Sequence, residues 1–438
     1  SEQHDGADAC PDEDFSEFGA SVFGQGFVID FFLYGGCCGA LLFFELGLFF
    51  FVFLLCFLEF FAQFFARFFR FYGFGIFLWY ELLWLFASHD MYAIWFKWAK
   101  LAKKRINYTA KMLENSLLRE RFERLLYWRR RNGALRDLAA SAGLVDLPTD
   151  FSSNDYLGMA QQAQRANAQA AVGSTGSRLL TGGRQYYLDL EERIAAFHAA
   201  PAALLFNLGY DANVGWAQAV LRANDVVLAD AQIHASVHDG LRLAGISAEF
   251  FAHNDVADLE LKLQAASERA QAVAAANVFV LVESVYSMSG QICPLQRIVE
   301  LCEQYGAMLM VDEAHGTGVL GARGEGLVQA LGLEGRVWLR LHTFGKALGA
   351  HGAVVLGSEL MKSYLVNYAR SLIYTTALPP HAVQAIASGY NFLQLPQGAA
   401  TIAQLQERIA FFCKKAQAAQ IPSQPQSPIQ GLFCTEGN

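Results

Sequence analysis

Ala307-Met308-Leu309-Met310-Val311-Asp312-Glu313-Ala314-His315-Gly316-Thr317-Gly318 is the stretch on which the fold turns. Apolar residues run without a polar alternate and then stop at two acids, a histidine and a glycine turn. A run of this kind fits a strand covered on both faces, as in a parallel sheet, rather than a strand with one wet face. Working outward, similar runs occur at residues 203–206, 226–228, 248–251, 278–282 and 353–356. Helical patterns lie between them at 186–198, 212–222, 235–244, 255–269 and 295–305. This alternation predicts an α/β fold with a mostly parallel sheet sandwiched by helices. Ligands in such sheets gather at the carboxyl ends of the strands.

Those ends carry the chemistry. Lys346 stands in His342-Thr343-Phe344-Gly345-Lys346-Ala347-Leu348-Gly349-Ala350-His351-Gly352, after the apolar run Val337-Trp338-Leu339 and 34 residues beyond Asp312. A lysine and an acid at neighbouring strand ends suit pyridoxal phosphate (PLP). The amine forms a Schiff base with the cofactor aldehyde, and the acid keeps the pyridine nitrogen protonated. Asn207-Leu208-Gly209-Tyr210-Asp211 follows one strand and opens a helix, where backbone N–H groups favour a phosphate. Gly173-Ser174-Thr175-Gly176-Ser177-Arg178 is a small-residue turn rich in donors. His234, with Ser236 after it, and Glu283-Ser284-Val285-Tyr286-Ser287-Met288-Ser289-Gly290 lie beyond two more strand ends. Each has a plain reading alone: a lone histidine is usually structural, a lysine usually solvated, a glycine-rich turn usually a turn. His198 and His253 read as surface or loop residues.

In this order and spacing the motifs resemble those of the α-oxoamine synthases. These are fold-type-I PLP-dependent transferases that condense an amino acid with an acyl thioester and release CO2. The resemblance runs from about residue 112 to the end. Its most specific pieces are Asp150-Phe151-Ser152-Ser153-Asn154-Asp155-Tyr156-Leu157-Gly158, Val311 to Gly318, Thr343 to Gly349, and Ile373-Tyr374-Thr375-Thr376-Ala377-Leu378-Pro379-Pro380. Within the family it is greatest to the biotin-pathway branch, which joins L-alanine to a pimeloyl thioester of CoA or acyl carrier protein. It implies a large PLP-binding domain and a small C-terminal α/β domain, truncated in this chain.

The resemblance also implies roles. Lys346 is the Schiff-base lysine and proton acceptor, Asp312 the partner of the ring nitrogen, and His234 the residue stacked on the ring. His315 bonds the ring hydroxyl, with Ser287 nearby. Gly209 and Tyr210 offer N–H groups to the phosphate, and Thr343 its hydroxyl. Thr375 and Thr376 reach the phosphate from the neighbouring subunit of a homodimer. Arg136 and Asn154 touch substrate. The family's C-terminal arginine and threonine have no counterpart before Asn438, which implies PLP binding with weakened catalysis in this polypeptide. Two competing readings are a serine palmitoyltransferase-like acyltransferase, suggested by the apolar N-terminal region, and a non-catalytic PLP-fold subunit.

Residues 1–111 stand apart. They carry most of the phenylalanine, 24 of 36 within the first 100 residues. Residues 31–58 hold a single charge, Glu45, over a length that spans a bilayer. A second apolar stretch covers 71–86, and a basic cluster follows at Lys97, Lys100, Lys103, Lys104 and Arg105. Two readings stand: a membrane anchor with its basic side cytoplasmic, or translation of an upstream region outside the gene, with Met112 as the start. The organisation expected is therefore 1–111 extension, 112–165 N-terminal helix and strand, 166–380 large domain and 381–438 incomplete small domain. Residues 113–131 read as an amphipathic helix, 151–158 as a strand and turn, 381–417 as helical, and 429–433 as the start of a strand.

Net charge is −8, which argues against nucleic-acid binding as the main activity. Eight scattered cysteines without a CxxC pair suit free thiols in a reducing compartment and give no metal-ligand spacing. The location expected is cytoplasmic, and membrane-anchored only if residues 31–86 span a bilayer.

Overall fold

The computed structural model describes residues 116–136, 150–161, 171–180, 184–273 and 276–431, with isolated positions between 97 and 103. The chain divides into two compact units, 1–135 and 136–438. In the first, helix α1 (Ser116–Arg131) ends in Arg129, Arg130 and Arg131, cations that suit the negative end of a helix dipole. Leu118, Phe122, Leu125 and Leu126 on the expected apolar face are exposed. The apolar segment 31–86 lies outside the described residues. No helix among the described residues is long and apolar enough to cross a membrane.

The second unit is built on seven strands: β1 (Ala202–Phe206), β2 (Val226–Asp230), β3 (Glu249–Phe251), β4 (Val278–Glu283), β5 (Met308–Asp312), β6 (Leu339–Thr343) and β7 (Ala353–Gly357). Their order in the sheet is β1-β7-β6-β5-β4-β2-β3. Every pairing is parallel except those of β7, which runs against both β1 and β6. The helices are α2 (Gln185–Phe197), α3 (Gly209–Val220), α4 (Ala235–Ala244), α5 (Val256–Gln271), α6 (Leu295–Tyr305), α7 (Leu327–Ala330), α8 (Glu359–Tyr368), α9 (Arg370–Ile373), α10 (Pro380–Leu393) and α11 (Pro396–Ala418).

Alternate strand residues fall into two separate apolar clusters, one per face. Leu205, Leu228, Val280, Val311 and Val354 pack with Tyr187, Leu190 and Ile194 of α2, Leu259 and Leu263 of α5, and Ile298 of α6. Leu204, Val227, Leu281, Met310 and Leu341 pack with Trp216 of α3, Val237 and Leu241 of α4, and Leu365 of α8. Both faces are therefore buried, which is why the strands read as unbroken apolar runs. Each fully buried leucine, isoleucine or valine contributes about 1.5–3 kcal/mol from burial.

Three expectations are corrected, and two more are adjusted in extent. Residues 151–158 form bends and turns, not a strand. Asp150 Oδ1 accepts the amides of Ser152 and Ser153, and Asp155 accepts those of Met159 and Ala160. These carboxylates take the N–H groups that a strand would offer a neighbour. Residues 429–431 form no strand, and 432–438 lie outside the described residues. His198 is not a surface residue but is fully buried. Its Nδ1–H donates to the Glu325 carbonyl at 3.1 Å, and its Nε2 accepts from the Tyr390 hydroxyl at 2.9 Å. The expected helix at 212–222 starts earlier, at Gly209, and the expected helical stretch 381–417 is two helices divided just before Pro396.

Candidate active site

The strand register fixes the site. Glu283 and Asp312 are direct partners on β4 and β5, and Asp312 pairs with Leu341 of β6. Asp230 ends β2 and Thr343 ends β6, so one edge of the sheet carries three acids and a hydroxyl. Lys346 follows three residues after Thr343. Gly349, three residues further on, has φ +58°, and a Cβ there would collide with the backbone of Ala160. The Lys346 loop therefore lies directly on the turn at 155–160, an approach open only to glycine.

Electrostatics set the amine apart from a surface lysine. Burial pushes the Lys346 ammonium below its usual range, while Asp312 and Glu283 pull it back. Burial, then the charge of Asp312, drives Glu283 well above the usual carboxylate range, against the opposing pull of Lys346. Glu283 is 2% exposed and Asp312 5%. Asp312 is held from two sides: Oδ1 accepts the Ala314 amide at 2.9 Å, and Oδ2 accepts Asn213 Nδ2 at 2.9 Å.

His315 lies on the same edge, buried, and burial with the nearby Lys346 and His234 lowers its pKa to about 3. Its Nδ1 is 2.8 Å from the hydroxyl of Tyr156, which donates to Asn154 Oδ1 at 3.0 Å. His234 caps α4, accepting the Ser236 amide on Nδ1, and its ring is exposed. Gly209 opens α3 against Thr343, whose Cγ2 occupies the space that a Cβ would need.

These residues fit PLP. They supply a buried amine of lowered pKa and an acid oriented by two donors. They also supply an imidazole at an open face and a helix start without a side chain in the way.

A family model described as aminotransferase class I and II matches residues 148–437. The chain belongs to the aminotransferase class I and II family. An 8-amino-7-oxononanoate synthase of Emericella nidulans is 45% identical over 261 residues, covering 56% of this chain and 63% of the relative. The chain thus spans less than two thirds of that relative's length. Among solved structures, an 8-amino-7-oxononanoate synthase of Francisella tularensis aligns with a TM-score of 0.52 at 28% identity, covering 64% of this chain and 79% of that one. A serine palmitoyltransferase from S. paucimobilis, solved with bound PLP and myriocin, aligns with a TM-score of 0.52 at 28% identity, covering 60% and 65%. The family resemblance drawn from the motifs and the fold-type-I expectation are both borne out.

Against this aminotransferase fold, the expected residues separate into groups. Lys346, Asp312, His315, Gly209 and Thr343 sit on or against the carboxyl edge, with His234 beyond the end of β2. Asn154 joins His315 through Tyr156. Tyr210 turns its side chain away to Asp239 at 2.5 Å, leaving only its backbone for a ligand. Ser287 is half-buried in the turn after β4, and no hydrogen bond ties it to His315. Thr375 Oγ1 and the Thr376 carbonyl accept from Asn207 Nδ2 of the same chain, at 3.2 and 2.7 Å. Arg136 is exposed, and among the described residues no contact draws it to the site.

Three residues escaped the sequence reading: Glu283 as an acid beside Asp312, Asn213 and Tyr156. Glu283 carried a signal, since it ends an apolar run just as Asp312 does. Asn213, one amide on a helix, carried none.

Proposed function

We propose that this chain carries the cofactor-binding part of an α-oxoamine synthase that condenses L-alanine with a pimeloyl thioester to give 8-amino-7-oxononanoate and CO2. The observation that carries the reading is the Lys346 amine, lowered in pKa by burial and lying beside paired acids at the strand ends. The identity to 8-amino-7-oxononanoate synthase sequences supports the choice of substrates.

PLP, when bound, supplies an aldehyde for an amine and a ring that accepts electrons from the substrate Cα. Lys346 would hold it covalently. Asp312, aimed by Asn213 and the Ala314 amide, would face the ring nitrogen, where a carboxylate favours the protonated ring. His234 would lie on the ring face, and His315 would meet the ring hydroxyl, with Ser287 nearby. The Gly209 and Tyr210 amides and the Thr343 hydroxyl would hold the phosphate, and the helix dipole of α3 would add to their attraction. Burial, which lowers the pKa of Lys346, favours the free amine that would take the substrate Cα proton. Asn154 and Arg136 would contact substrate. Thr375 and Thr376 would reach the phosphate of the partner subunit in a cytoplasmic homodimer.

The test is direct. The purified protein is incubated with PLP and assayed with L-alanine, glycine and L-serine against pimeloyl and palmitoyl thioesters. Formation of 8-amino-7-oxononanoate from alanine and pimeloyl thioester is the expected result. A preference for serine with the long-chain thioester would favour the serine palmitoyltransferase-like reading. PLP uptake without any turnover would favour a non-catalytic subunit.

A further inference from the structure

Behind the site, four side chains form one continuous hydrogen-bonded row. Asn213 and Ser236 are each 1% exposed. Asn213 Nδ2 donates to Asp312 Oδ2 and to Ser236 Oγ, both at 2.9 Å, and Ser236 Oγ meets His234 Nδ1 at 2.8 Å. Trp216, fully buried one turn along α3, donates Nε1–H to Asn213 Oδ1 at 3.1 Å.

The donor count leaves one arrangement. A carboxamide has two N–H donors and one carbonyl acceptor. The tryptophan N–H can only donate, so Asn213 must turn its oxygen to Trp216 and its nitrogen to Asp312 and Ser236. Reversing the amide would set two donors against each other at Trp216 and two acceptors at Asp312. Ser236 Oγ then accepts from Asn213, and its single proton is left for His234 Nδ1. That nitrogen also accepts the Ser236 amide at 3.2 Å. The imidazole proton is therefore on Nε2.

We infer that Asn213 and Ser236 are positioning residues that tie Asp312 to His234, fixing the rotamer of the acid and the tautomer of the imidazole as one unit. The inference rests on reading Asp312 and His234 as cofactor residues. Both occupy the site through bonds made on their buried sides, so a ligand meets them already oriented. Trp216 anchors the row to the apolar core of α3, making the row rigid. Losing either middle residue disconnects the two ends.

The test places each probe two bonds from the change. In protein without cofactor, the His234 ring is observed by 15N NMR and the Asp312 carboxylate by 13C NMR. The wild type should give an Nε2–H imidazole. Asn213→Leu should move the His234 Nδ1 resonance, and Ser236→Ala should move the Asp312 carboxylate resonance. Ser236→Thr, which keeps the hydroxyl, should leave both in place. In the PLP-loaded protein both disrupting variants should lower kcat by up to about 100-fold, with KM for alanine held within a factor of two or so, and Ser236→Thr should recover turnover. Unmoved distant resonances in both disrupting variants would overturn the row. If Asn213→Leu does not fold, Ser236→Ala alone decides: a still Asp312 resonance refutes the coupling. Moved resonances in a protein that takes up no PLP would instead overturn the functional reading while the row stands.

Discussion

The rings of His198 and His342 lie with centroids 4.1 Å apart, both fully buried, and His342 belongs to β6, the strand that leads to Lys346. His342 Nδ1–H donates to Thr317 Oγ1 at 2.8 Å, and Arg340 on the same strand donates to the His198 carbonyl at 2.9 Å. Burial holds both imidazoles far below their usual range, with Arg340 adding to it in each case and His198 adding to it for His342. His315 is lowered as well, to about 3.

Acid should therefore destabilise this protein from near pH 6.5 downward. A histidine whose folded pKa lies below its unfolded value takes up its proton first in the unfolded chain. Its contribution is complete above the unfolded pKa of about 6.5 and is lost as pH falls toward the folded value. Each such histidine gives a slope of at most about 1.4 kcal/mol per pH unit. Urea unfolding of the wild type and of His198→Gln at pH 7 and pH 5 checks it. The variant should lose less stability over that interval, and identical losses would refute the assignment.

Lys346→Ala should abolish turnover and covalent retention of PLP. Borohydride reduction followed by peptide mass spectrometry should find the cofactor on Lys346 in the wild type and nowhere in the variant. Full turnover by the variant would end the proposed chemistry.

Asp312→Asn should still take up PLP but lose exchange of the alanine Cα proton. The amide keeps the shape of the side chain and loses the charge that favours a protonated ring. Deuterium incorporation into L-alanine, followed by NMR, should fall by at least about 100-fold. Wild-type exchange in this variant would contradict the role of the acid.

Gly349→Ala should disturb both stability and the site. A Cβ at φ +58° costs about 1–3 kcal/mol by conformation, and it also meets the backbone of Ala160. Thermal unfolding should occur at lower temperature, and PLP affinity should drop with it, because Lys346 lies three residues away. Unchanged values for both would mean the two loops do not touch.

The strands were legible where both faces are apolar and less so where polar groups are buried. β6 reads only as Val337 to Leu339 in the sequence because Arg340 and His342 interrupt the run. In the fold each is bonded inside through one nitrogen, Arg340 Nη2 to the His198 carbonyl and His342 Nδ1 to Thr317, while Arg340 Nη1 and His342 Nε2 find no partner among the described residues. The residues proposed to face the cofactor were legible because each ends a strand, as Asp312 and Thr343 do, or follows one within a few residues, as Gly209, His234, His315 and Lys346 do. Asn213 and Ser236 were not recognised as linking residues, since their meaning depends on partners 99 and 2 positions away in sequence. The turn at 151–158 differs from the expected strand because Asp150 and Asp155, through partners two to five residues away, claim backbone amides that a strand would need.

The reversed direction of β7 has a consequence for Lys346. A parallel neighbour would need a long return across the sheet, but β7 re-enters at the very edge where β6 ends, with Thr343 paired to Ala353. The lysine thus sits on a short strap fastened at both ends. Phe344 N–H bonds to the Gly352 carbonyl at 3.0 Å and Ala350 N–H to the Phe344 carbonyl at 2.8 Å, closing the strap on itself. These bonds restrain any swing of the strap. On the proposed role, an amine that must let go of a partner and take it back would do so here by turning its own four-carbon arm, which would keep it within reach.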